Sequence, residues 1–129
     1  MKILVVDDSR AIRAYIKGIL GEAFEHDVLE ASSGFDALRI LPREQIDLVI
    51  VDINMPDING LELIKFIRHS DRHKDKPIVV VSTQQSEKSR DKVLDLGANC
   101  FIAKPFTPTS LVNAVEQMLD TFKASSSVS

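Results

Sequence analysis

Three short runs of unbroken apolar, mostly β-branched residues constrain this chain most: Ile3-Leu4-Val5-Val6, Leu48-Val49-Ile50-Val51 and Ile78-Val79-Val80-Val81. Side chains alternate across a strand, so a run with no polar position has to be covered on both faces. That is the situation of central strands in a parallel sheet. Val28 to Ala31 and Cys100 to Ala103 are weaker strand candidates, placed by the rhythm of the pattern rather than by composition.

Segments of helical period separate these runs. Ile12, Tyr15, Ile16, Ile19 and Leu20 mark one apolar face, with Ser9 placed to cap its N-terminus. Leu63, Ile64 and Ile67 mark another, after the turn Pro56-Asp57-Ile58-Asn59-Gly60. A helix from about Ser86 to Leu96 has few apolar positions and stops at Gly97, so it is expected to be loosely held. The last helix has Thr107 as cap, Pro108 at its first position, and a stripe of Leu111, Val115, Met118 and Phe122. Five strands alternating strictly with five helices predict an α/β doubly wound sheet with helices on both faces.

The chain has 129 residues, 44% of them apolar, which suits one domain that needs no metal staple or disulfide to be stable. The domain is expected over residues 1–123, with the small, serine-rich segment 124–129 as a frayed tail. Sixteen basic residues against nineteen acidic give a formal charge of −3, which argues against nonspecific nucleic-acid binding. The only apolar run near Met1 is four residues long, too short for a signal peptide, and no run approaches a membrane span. With a single cysteine, Cys100, the chain is expected to be cytoplasmic, with no membrane contact.

In a sheet of this kind the chemistry lies beyond the carboxyl ends of the strands. Asp7 and Asp8 follow the first strand and Asp52 ends the third, so neighbouring strands should bring three carboxylates together. Singly, an aspartate at a strand end is an ordinary cap or turn former. Three together repel one another and call for a counter-ion; a hard divalent cation with oxygen ligands fits best, and Mg2+ is the expected one. Ser82 ends the fourth strand and Lys104 follows the fifth. A hydroxyl and a cation around a carboxylate-bound metal can stabilise a phosphoryl group in transfer.

With Ile3-Leu4-Val5-Val6-Asp7-Asp8-Ser9, Asp52-Ile53-Asn54-Met55-Pro56, Gly60, Val81-Ser82 and Lys104-Pro105-Phe106 in this order, the sequence resembles the response-regulator receiver domains, of the single-domain CheY-like type. The resemblance covers about residues 2 to 122. It implies a flavodoxin-like sheet with strand order 2-1-3-4-5. It also implies that Asp52 is the phosphoacceptor, taking its phosphoryl group from a phosphohistidine of a histidine kinase or phosphotransfer protein. Asp8, Asp52 and the backbone carbonyl of Asn54 would hold the metal, with Asp7 acting mainly through a metal-bound water. Lys104 would pair with Asp52 and then with the phosphoryl group, and Ser82 would hydrogen-bond a phosphoryl oxygen.

In the family, that movement of the hydroxyl vacates space for an aromatic residue on the fifth strand, here Phe101. Without a tyrosine hydroxyl, packing alone would carry its readout. Thr83 stands where a small residue is usual. Asn54 and Gln84 flank the site at positions that tune how water reaches the phosphoryl group, and neither is a general base, so a self-limiting signal is expected. An acyl phosphate adds about two negative charges in one place, and pulling Ser82 inward would bias the segment from Gln84 to Leu96. The face formed by the fourth helix, fifth strand and fifth helix would then meet a downstream protein effector, a flagellar motor switch or other motility component among them. The chain is expected to act as a monomer that catalyses only its own phosphorylation and dephosphorylation.

Other candidates point elsewhere. His69 and His73 stand four apart, a metal-ligand spacing on a helix, but in the charged stretch Arg68 to Lys76 they read as a solvated helix end and loop. Cys100 reads as core. The five glycines form no nucleotide-binding pattern. Asp52-Ile53-Asn54 also resembles the nucleophile motif of haloacid-dehalogenase-type phosphatases, but that class wants a carboxylate where Asn54 stands. A pseudo-receiver that docks a partner without phosphorylation is the other alternative; such proteins usually lose an acid or the lysine, and both are kept here.

Overall fold

A computed structural model describes residues 2–23, 27–53, 55, 59–83 and 87–127, the side chains of 87–89 and 122–127 excepted. The elements alternate throughout: β1 Lys2–Val6, α1 Arg10–Ala23, β2 Asp27–Ala31, α2 Gly34–Ile40, β3 Leu48–Asp52, α3 Gly60–Arg68, β4 Ile78–Ser82, α4 Glu87–Leu96, β5 Cys100–Ala103 and α5 Pro108–Ser127. The five strands form one sheet in the order β2-β1-β3-β4-β5, and every neighbouring pair is parallel.

The unbroken apolar runs are explained by two cores, one on each face. Ile3, Val5, Leu48, Ile50, Val79 and Val81 pack with Ile16, Ile19 and Leu20 of α1 and with Leu111 and Val115 of α5. The alternate residues Leu4, Val6, Val49, Val51, Ile78 and Val80 face Ala37 of α2, Leu63, Ile64 and Ile67 of α3, and Val93 of α4. Each central strand thus divides its side chains between two layers of helix. At roughly 1.5–3 kcal/mol for each large apolar side chain fully buried, these two layers are the main favourable term in folding.

The expected caps are in place. The Ser9 Oγ accepts from the Ile12 amide at 3.3 Å, and the Thr107 Oγ1 accepts from the Ser110 amide at 3.1 Å, while the Ser110 Oγ accepts in return from the Thr107 amide at 3.2 Å. Gly97 closes α4 with φ +118°, which a side chain rarely adopts. Of the described side chains of α4, Val93 alone is buried, in keeping with a weakly held helix.

The α5 backbone is helical to Ser127. One expectation needs correction. His73 is not solvated: it is 1% exposed, and its Nε2 accepts from the Ile46 amide at 3.1 Å. It thereby ties the β3–β4 connection to the segment before β3, at the end of the sheet opposite the aspartates. His69 is exposed, with Nδ1 2.7 Å from the Lys65 carbonyl oxygen, so the two rings do not share a ligand site.

An Nε2 that accepts a hydrogen bond is unprotonated. Burial pushes the His73 imidazole below its ordinary value of 6.5, the charges of Arg72 and Lys76 add to this, and the Glu44 carbonyl and Asp47 oppose it. The unfolded chain therefore takes up the proton first as pH falls, so this contribution to stability is complete above about pH 6.5 and is lost as pH drops through the lower, folded value. Urea unfolding at stepped pH should show that loss in the wild type. His73→Phe should remove the part of the slope that falls between those two values.

Candidate functional site

The strand order reverses at β1, which pairs with β2 on one side and β3 on the other, so a crevice opens beyond the carboxyl ends of β1 and β3. Asp7 lies immediately past β1, 2% exposed. Its amide donates to the Ala31 carbonyl at 3.1 Å, and its Oδ1 accepts from the Ser9 amide at 2.8 Å. Asp52 is the last residue of β3, 7% exposed and in register with Val81 of β4. Asp8 is exposed at the rim. One carboxylate oxygen from each of Asp7, Asp8 and Asp52 can be chosen so that all three lie within 4.8 Å of one another.

Lys104 follows β5, and its amide donates to the Ser82 carbonyl at 2.8 Å. The peptide bond to Pro105 is cis. Its Nζ lies 2.9 Å from Asp7 Oδ2 and 3.5 Å from Asp52 Oδ2. The ammonium group faces Asp52, the partner expected for it, and Asp7 as well, bridging two buried carboxylates and lying closer to Asp7. Among the described residues, one ammonium group against the three carboxylates leaves the cluster with excess negative charge in a partly desolvated place, where like charges interact strongly.

Ser82 is fully buried at the end of β4, in register with Ala103. Thr83 beside it is exposed. Phe101 on β5 is in register with Val80 and packs, half-buried, against the core shared by α2, α3 and α4. Asn54 and Gln84 lie outside the described residues, so the carbonyl expected to complete the metal ligands is not placed. Cys100 is half-buried against the α1 and α5 side, and burial pushes its thiol up, away from the reactive thiolate form.

The donor set is chemically selective. Three carboxylates with no sulfur and no imidazole form a hard, anionic oxygen site, which suits Mg2+ better than a softer metal. The cluster is compatible with magnesium on that ground.

Two further residues shape the site, Gly60 from the turn before α3 and Arg13, to which the sequence assigns no role. The Gly60 amide donates to the Ile53 carbonyl at 2.9 Å, and a Cβ at Gly60 would lie 2.7 Å from both the Asp52 carbonyl oxygen and the Ile53 Cα. The start of α3 is thus pressed against the strand end that carries Asp52. Arg13 of α1 donates from Nη1 to the Asp7 carbonyl at 2.7 Å. An arginine on a helix otherwise reads as solvated.

A strand-end acid cluster, a lysine after the last strand and a buried serine between them, on a sheet in this order, define a class of phosphorylation-type signalling modules. The family model of the response regulator receiver domain matches residues 3–116, and the chain belongs to that family. It is 42% identical to a chemotaxis protein CheY homolog of Campylobacter jejuni, over 94% of each chain. It is 40% identical to the chemotaxis protein CheY1 of Helicobacter pylori, over 94% of this chain and 98% of that one. Among solved structures, CheY4 of Vibrio cholerae superposes with a TM-score of 0.85 at 32% identity, covering 91% of this chain and 97% of that one. The chain is a two-component response regulator, a signalling switch rather than a conventional enzyme. No helix among the described residues is long and apolar enough to cross a membrane.

Proposed function

We propose that the chain is switched by phosphorylation of Asp52, with a phosphohistidine of a histidine kinase or phosphotransfer protein as donor. The observation that carries this reading is the meeting of Asp7, Asp8 and Asp52 around one point with the Lys104 ammonium against two of them. An Asp52 carboxylate oxygen attacks phosphorus as the phosphorus–nitrogen bond to the donor imidazole breaks; the donor ring, protonated on its other nitrogen, takes the bonding pair and leaves as neutral imidazole. Asp7, Asp8 and Asp52, together with the carbonyl of Asn54, would hold Mg2+. When bound, the ion supplies charge neutralisation for the attacking carboxylate and the transferring phosphoryl oxygens. Lys104 shifts toward the new phosphoryl group, and the Ser82 hydroxyl donates to one of its oxygens.

The readout follows from how little holds α4. Drawing Ser82 inward changes the packing at the end of β4, and the helix with a single buried side chain among those described is the element free to respond. Phe101, which packs beside it, reports the change through contact alone. A shallow groove lined by Phe101, Pro105, Phe106, Ser110, Ala114 and Gln117 runs along β5 and α5, on the face expected to meet the effector. The names of the chemotaxis relatives support a motility component as that effector, a flagellar motor switch being one candidate.

The test is incubation with acetyl phosphate and Mg2+, followed by intact-mass measurement and peptide mapping. The expected result is one phosphoryl group per chain at Asp52, with slow decay. Sustained turnover of small phosphate monoesters would instead indicate a phosphatase, and no uptake at all would indicate a docking module.

A further inference from the structure

Asp7 is restrained at its amide and at both carboxylate oxygens by Ala31, Ser9 and Lys104. Its remaining polar group, the backbone carbonyl, accepts from Arg13 Nη1 at 2.7 Å. That carbonyl lies in the same rigid peptide plane as the nitrogen and Cα of Asp8. Whatever holds it therefore fixes the N–Cα axis from which the Asp8 side chain departs, leaving rotation about φ and χ1 to aim the carboxylate. Arg13 is itself held: its side chain is 13% exposed, and its Nε lies 3.3 Å from Glu30 Oε1 on β2, which also faces Lys17 Nζ at 3.7 Å. One guanidinium thus links α1, the end of β1 and the end of β2.

We propose that Arg13 is a positioning residue for the acidic pair, fixing the Asp7–Asp8 peptide so that the Asp8 carboxylate converges with those of Asp7 and Asp52 on a divalent cation. This rests on the reading of the three acids as a magnesium site. Two influences of Arg13 on that site have opposite signs. As a positive charge near the carboxylates it disfavours a cation, so by Coulomb's law alone its removal tightens magnesium binding. As an anchor it preorganises the ligands, so its removal weakens binding; loss of an outer partner of a metal ligand typically costs about 10–100-fold in affinity. Lysine separates the two, since it keeps the charge but lacks the planar fork that serves two acceptors at once.

The experiment is calorimetric titration of Mg2+ into the full chain as wild type, Arg13→Met and Arg13→Lys, with circular dichroism to establish folding and the Asp8 amide resonance recorded without metal. Both variants are expected to bind Mg2+ about tenfold more weakly, with the Asp8 resonance displaced. A purely structural role would lower the melting temperature while leaving the affinity of the folded protein unchanged, and that result overturns the proposal. So does tighter binding by Arg13→Met, or wild-type affinity in Arg13→Lys. If Arg13→Met fails to fold, the lysine variant alone decides. A wild type that binds no Mg2+ overturns the magnesium-site reading and this proposal with it.

Discussion

Asp52→Asn is expected to abolish uptake of a phosphoryl group from acetyl phosphate while leaving the fold intact. Asparagine has nearly the same shape but no anionic oxygen to attack phosphorus. The substitution also removes one of three clustered carboxylates, so it relieves repulsion in a buried place. Lys104 keeps its nearer partner, Asp7, at 2.9 Å. Without added metal, the variant should therefore unfold at a temperature no lower than the wild type. With metal the order reverses. Mg2+ at ten times its dissociation constant adds about 1.4 kcal/mol to the wild type by linkage, and most of that gain should vanish in the variant. Radiolabelled acetyl phosphate and thermal melts with and without Mg2+ read both effects. Persistent labelling of Asp52→Asn would place the phosphoacceptor elsewhere.

Gly60→Ala is expected to give the largest loss of stability from adding a single carbon. The added Cβ would sit 2.7 Å from two backbone atoms of the Asp52–Ile53 segment, neither of which can swing aside as a flexible side chain would. Overpacking of this kind costs about 1–3 kcal/mol, and a collision with backbone belongs at the upper end. Relief requires α3 to retreat from the end of β3, lengthening the bond from the Gly60 amide to the Ile53 carbonyl and loosening the strand end that presents Asp52. Urea unfolding should show the loss, and magnesium affinity should fall with it. A Gly60→Ala protein within about 0.5 kcal/mol of wild type, the range of an ordinary surface change, would mean that the approach of α3 to β3 is not tight.

The parts of this molecule that could be read from its sequence are those whose physics is local or periodic. β1, β3 and β4 declare themselves because a strand covered on both faces tolerates no polar position. The caps at Ser9 and Thr107 are legible because each serves an amide three residues onward. The aspartates were legible through topology, since a parallel sheet collects its strand ends on one edge. The seven residues of α2 are too few for a stripe, so alternation implies that helix without giving its ends.

What escaped depends on contacts between distant segments. His73 is flanked by Arg72 and Lys74, and its burial follows from a bond to Ile46, twenty-seven residues earlier. The preference of Lys104 for Asp7 over Asp52 is a difference of 0.6 Å between two carboxylates on adjacent strands, a detail of strand ends that no pattern encodes. Arg13 acts on a backbone carbonyl, and a carbonyl is present at every position of a chain.

The convergence of three acids on one ion is tested most directly with Mn2+ in place of Mg2+, because its unpaired electrons broaden nearby amide resonances, an effect that falls steeply with distance. At one equivalent of Mn2+ the resonances of Asp7, Asp8, Asp52 and their immediate neighbours should disappear together, and excess Mg2+ should restore them. Broadening scattered over the surface acids, without saturation near one equivalent and without recovery in Mg2+, would contradict a shared site.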